Sequence, residues 1–188
     1  MERLALRRIV LLGTPLALAV LEIFHPHPTG VADAVEQGGW FMWFHIIQVP
    51  LIGLIALAIY LLTEGLEGRA VMVSSWAIAV FAVFFSAYDA AAGIGTGYAL
   101  RNAQVLPAGA QEAVHEAMID MPGLSLIFGL SIVGSGAWMV ALIAAVIALR
   151  RAVTSRGPFI LLILAGVLAE LNPVVSDGGP RLAAPFEA

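Results

Sequence analysis

The 188-residue chain contains no cysteine and no lysine. The first absence removes disulfides, thiolate metal sites and thiol nucleophiles, so redox chemistry would need a bound cofactor. The second leaves all nine basic residues as arginine, against thirteen acids and a formal charge of −4. That balance offers no general basic surface, which excludes nucleic acid as a partner. Charge of either sign is scarce: 12% of residues are charged and 61% are hydrophobic. Soluble domains carry about 25% charged residues, so the solvent expected for most of this chain is lipid.

The apolar residues fall into long runs. The first, Ile9 to Phe24, follows Arg3, Arg7 and Arg8 and stops at Pro26 and Pro28, which cannot continue a helix. Met1 to Ala19 has the outline of a secretory signal and is read as a retained helix. A polar stretch with Asp33, Glu36 and Gly38-Gly39, read as a loop, leads to a second run, Trp40 to Leu62, with Pro50 expected to kink it. Trp40, Phe41, Trp43 and Phe44 open that run as an interfacial belt would. The third run extends from Val71 to about Tyr98, and its Gly93, Gly95 and Gly97 suit close helix packing. Pro107 then introduces a short amphipathic helix with Ala110, Val114, Met118 and Met121 on one stripe. A fourth run spans Leu124 to Leu149, its Ser131, Gly134, Ser135 and Gly136 forming a small-residue surface, and a fifth covers Phe159 to about Leu171 before Asn172-Pro173.

The expected fold is therefore all-α: a polytopic membrane bundle of about five transmembrane helices over residues 1–173 with one short surface helix. Residues 174–188 form a loosely ordered tail. Of the nine arginines, only Arg101 and Arg181 fall outside if the N-terminus is cytoplasmic. The positive-inside rule then predicts a multi-pass protein of the inner membrane with its C-terminus outside. The short first and fifth runs imply shielding by a partner, a homo-oligomer or a larger membrane complex.

On that topology the costly residues gather in the outer half. Glu22 and His25 close the first helix, His45 and Gln48 begin the second, Asp89 lies late in the third, and Glu170 and Asn172 lie late in the fifth. Ionisable groups in hydrocarbon avoid lipid, so these side chains are expected to converge on a polar pocket open to the outer face. The primary expectation is a binding or accessory role.

Several chemistries compete at such a pocket. Glu22-x-x-His25 and Glu112-x-x-His115 repeat the spacing that puts a carboxylate and an imidazole on one helix face, and with Asp89 and Glu170 they supply the ligand count of a di-metal carboxylate site. His25, His27, His45 and an acid would instead suit a single divalent transition metal. His25 and His45 are the candidate axial ligands of a b-type haem. Any of these would make the protein a membrane oxidoreductase acting on a lipid-soluble substrate such as a quinone. Proton or cation transport is a further alternative, although no acid continues the path through the inner half. Against all of these stands a purely structural polar network, with His27 a solvated loop residue and His115 on the polar face of the surface helix.

With His25-Pro26 closing the first run, His45 opening the second and Asp89 ahead of the glycine run, the layout resembles small polytopic bacterial membrane proteins that usually carry no assigned function. The resemblance covers most of the chain up to the fifth run. It implies no activity, and no site residue is carried over from it. Where such proteins continue into a further apolar helix, this chain passes into its tail after Asn172.

Overall fold

The computed structural model of the chain describes residues 2–120 and 125–150. The fifth run, Glu170 and the tail lie outside the described residues, as does Met121. Regular structure among the described residues is all helical. Helix α1 (Glu2–Arg8), a π-helical turn (Ile9–Gly13) and α2 (Thr14–Glu22) make one continuous rod. It is followed by α3 (Val31–Thr63) and then by the third rod, again composite, of α4 (Arg69–Tyr88), a π-helical segment (Asp89–Gly95) and α5 (Thr96–Ala103). The short α6 (Ala108–Asp120) and the long α7 (Ser125–Arg150) complete it. Four helical stretches, Leu4–Glu22, Val31–Thr63, Arg69–Ala103 and Leu126–Arg150, are long and apolar enough to cross a membrane.

The polar stretch before Trp40, expected as a loop, is helix from Val31 onward. Two local features account for it. Asp33 sits in the first turn, where its carboxylate faces the positive end of the helix dipole and accepts bonds from the Thr29 backbone N–H at 2.8 Å and the Thr29 hydroxyl at 3.2 Å. Gly38 is pressed against the other composite rod: a Cβ there would lie 2.6 Å from the Arg101 backbone nitrogen and 2.7 Å from Leu100 Cβ. Tertiary packing thus holds a glycine pair in helix that propensity alone disfavours. The same contact extends the third rod to Ala103, beyond the apolar run that ended near Tyr98. Ala34, Val35, Leu100 and Ala103 form a small core there, with Val114 of α6 against it.

The larger core lies at the opposite end. Ile52, Ile55, Ala56 and Ile59 recur at helical spacing on α3 and pack with Ile78 and Phe81 of α4 and Ala141, Leu142 and Ala145 of α7. Helices α4 and α7 make the most extensive pairing. Gly134 admits Phe85 to within 3.1 Å of where a Cβ would stand, and the buried Ser74 hydroxyl donates to the Ala141 carbonyl at 3.0 Å. Here the small-residue surface does bring two helices close. The chain leaves α3 through Gly65, whose φ of 82° suits glycine alone, and re-enters helix after Gly68 at φ 115°.

The outward faces are apolar. Leu4, Leu6, Ile9, Leu12, Leu16 and Val20 of the first rod are exposed, as are Trp76 and Val83 of α4 and Ile132, Val140 and Ile143 of α7. Water-soluble monomers rarely present continuous apolar surface of this kind, whereas lipid-exposed helices do.

Candidate functional site

At the end of the molecule away from the larger core, three elements bring ionisable side chains together. The last turn of α2 carries Glu22, the turn after it holds His25 and His27, α3 carries His45 and Gln48, and the π-helical segment opens with Asp89. His25 folds back over the helix end, its backbone N–H bonding the Glu22 carbonyl at 3.2 Å. Its ring stands 5.1 Å from that of His27 and 5.7 Å from that of His45, nearly perpendicular to the latter. Phe41 and Phe44 wall the group: the Phe41 and His45 rings are 4.4 Å apart, and Phe44 stands edge-on to His25 at 4.7 Å.

His45 and Asp89 form the floor. Both are buried, with 6% and 5% of their surface exposed, and His45 Nε2 lies 3.9 Å from Asp89 Oδ1. His45 Nδ1 lies 2.8 Å from the Phe41 carbonyl oxygen. A carbonyl only accepts, so Nδ1 carries a proton, and the ring is held with Nε2 facing Asp89. The π-helical geometry continues through Gly93, where a Cβ would fall inside the His45 imidazole. Glycine at that position lets the ring lie flat against the third rod, and wide turns of this type occur often at functional sites.

One helical turn from His45, the Gln48 amide donates to Glu22 Oε1 at 2.7 Å. That bond leaves Gln48 Oε1 as a buried acceptor without a hydrogen-bond partner among the described residues, and Asp89 Oδ2 is another. The cluster is thus rich in oxygen atoms able to accept: two carboxyl groups and an amide oxygen.

No family model, curated protein or solved structure matches this chain.

The structure brings together Glu22, His25, His27, His45 and Asp89. Glu112 stands apart, exposed on α6, and Glu170 lies outside the described residues. Among the described residues no group of three or more His, Asp or Glu side chains is arranged to hold a metal ion. The two Glu-x-x-His pairs do not share a site as expected for a di-metal centre: Glu22 and His25 belong to the cluster, whereas His115 turns inward on α6 to line a neighbouring cavity. The inward stripe of α6 is Gln111, Val114, His115 and Met118, with Ala110 exposed. It keeps Val114 and Met118 of the stripe expected from Ala110, Val114, Met118 and Met121, loses Ala110 and adds Gln111 and His115, with Val114 docked on Ala34, Val35 and Leu100.

Sequence reasoning missed Phe41 and Thr96. The first acts through its backbone carbonyl, which carries no residue-type signal. The Thr96 hydroxyl, buried and without a hydrogen-bond partner among the described residues, departs from the usual habit of a helical threonine to bond the carbonyl four residues back.

Proposed function

We propose that this protein is a polytopic membrane protein of about five spans, with its N-terminus cytoplasmic, that binds a small cationic or proton-donating ligand at the outer end of its bundle. The observation that carries this reading is the surplus of buried acceptors around the His45–Asp89 pair, with Asp89 Oδ2 and Gln48 Oε1 left without hydrogen-bond partners among the described residues. A buried acceptor without a donor costs about 1–3 kcal/mol, and a carboxylate costs more. A ligand bearing an N–H⁺ group supplies both the donor and the opposite charge, and the Phe41 and Phe44 rings border the histidines of the cluster. The arginine distribution supports the orientation.

A metal ion is the second reading, favoured by one observation: an imidazole fixed through Nδ1 by a backbone carbonyl, with Nε2 directed at a carboxylate, is how metal-binding histidines are commonly oriented. Haem is disfavoured at this cluster, since the His25 and His45 rings contact each other edge to face and leave no slot between them for a macrocycle.

Elemental analysis, an absorption spectrum and mass spectrometry of the small molecules extracted from detergent-purified protein distinguish these occupants. An organic amine bound one to one and lost in Asp89→Asn supports the proposal. Stoichiometric metal lost in both Asp89→Asn and His45→Ala moves the assignment to the metal. If the wild type carries neither, and no amine or divalent metal raises its melting temperature above that of Asp89→Asn, the cluster is a structural polar network and the proposal fails.

A further inference from the structure

A cavity of about 210 Å³ lies beside the acidic cluster, between the N-terminal part of α3, the third rod and α6. Phe41 and Ala92 form part of its apolar wall, and Met118 closes it from α6. Its polar groups are few and of a different kind from those around Asp89: Gln37, Thr96 and His115. Among the described residues no Asp, Glu or Arg lines it, which makes a charged ligand a poor fit.

The polar residues of the lining can donate to a ligand that accepts. The Thr96 hydroxyl is buried and has no hydrogen-bond partner among the described residues. Gln37 spends one amide N–H on Asp33, which orients its side chain and leaves a second N–H. His115, across the cavity on α6, adds an imidazole. Pockets for drug-sized molecules span ~300–1,000 Å³, so this smaller space suits a single substituted ring and not a macrocycle or dinucleotide.

We propose that this cavity is a binding site for an uncharged, lipid-soluble ring bearing carbonyl oxygens, of the quinone class. One ring oxygen accepts from Thr96 and the other faces Gln37 and His115, while the ring packs against Phe41 and Met118. The site is separate from the cation site: its lining includes neither His45 nor Asp89.

The test uses the full chain in phospholipid nanodiscs titrated with a short-chain benzoquinone, read by quenching of tryptophan fluorescence against empty-disc and denatured-protein controls. Saturable binding is expected in the wild type. Ala92→Phe, which fills the cavity, is expected to abolish it, and Thr96→Val, which removes one hydrogen bond at constant shape, is expected to weaken it about fivefold. Asp89→Asn is expected to bind the quinone as the wild type does, so the cation site can fail its own test without affecting this one. Ala92→Leu serves as a second filling variant if the phenylalanine unfolds the protein. The inference is overturned if the wild type shows only non-saturable partitioning, if both filling variants fold and still bind as the wild type does, or if Asp89→Asn removes binding while Thr96→Val leaves it unchanged.

Discussion

Gly93 lies directly beneath the His45 imidazole, so close that a methyl group at position 93 would occupy the ring's own space. Gly97, one turn on, meets the Met42 backbone in the same way, whereas a Cβ at Gly95 would find its nearest neighbour, the Ala90 carbonyl oxygen, at an ordinary 3.7 Å. Three glycines spaced two apart therefore do different work. Gly93→Ala and Gly97→Ala are expected to destabilise the protein by about 1–3 kcal/mol or more through overpacking. Gly97→Ala should be the worse of the two, because backbone cannot turn aside as a side chain can. Gly95→Ala should be near neutral. Thermal unfolding of the three variants in one detergent checks the order, and a costly Gly95→Ala would count against the close approach as its cause.

The Ser74 hydroxyl ties α4 to α7 through the Ala141 carbonyl, yet removing it should cost little. Interhelical bonds in membranes average about 0.6 kcal/mol, because the separated helices also find partners. Ser74→Ala is expected to lower stability by about that amount, read as a small shift in the unfolding midpoint. Ala141→Leu, which forces the same two helices apart at a fully buried position, should cost several times more.

At the end opposite the cluster, Arg7 pairs with Glu64 at 3.2 Å and also donates to the Leu61 carbonyl at 2.6 Å. The ion pair is exposed on both sides and is worth about 0–1 kcal/mol. The Leu61 carbonyl, at the last turn of α3, also accepts the Glu64 backbone N–H at 3.4 Å, so Arg7 is its second donor as well as the partner of the Glu64 carboxylate. Arg7→Gln is therefore expected to destabilise more than Glu64→Gln. A double-mutant cycle with a coupling energy above about 1 kcal/mol would reverse that judgement.

The lack of cysteine makes the proposed orientation directly measurable, since a single introduced thiol is the only one present. Glu36→Cys, on the exposed face at the start of α3, is expected to react with a membrane-impermeant maleimide added to intact cells. Glu67→Cys, in the turn that follows α3, should react only after the membrane is opened. The opposite pattern would invert the topology and with it the outward placement of the cluster.

Much of the helical layout was legible in the chain alone, because lipid-scale apolar runs and prolines report on helix position without reference to any partner. Pro26 and Pro28 follow the end of one rod, Pro107 opens α6, and each run in between lies within or nearly coincides with a helical stretch of the structure. The cost of burying Glu22, His25, His45 and Asp89 likewise implied that they would share company. Three features needed the tertiary structure. Val31 to Gly39 is helical because Gly38 packs on Leu100 and Arg101, a contact with no trace in local polarity. His115 lines the cavity beside Val114, which docks on the small core, whereas the apolar stripe alone left His115 on the polar face. The orientation of the His45 ring depends on a backbone carbonyl at Phe41 and on the π-helical turn at Asp89. Composition and periodicity determine which residues must leave the lipid; which atoms they then meet is decided by contacts between segments distant in the chain, where a rotation of one helix exchanges one neighbour for another.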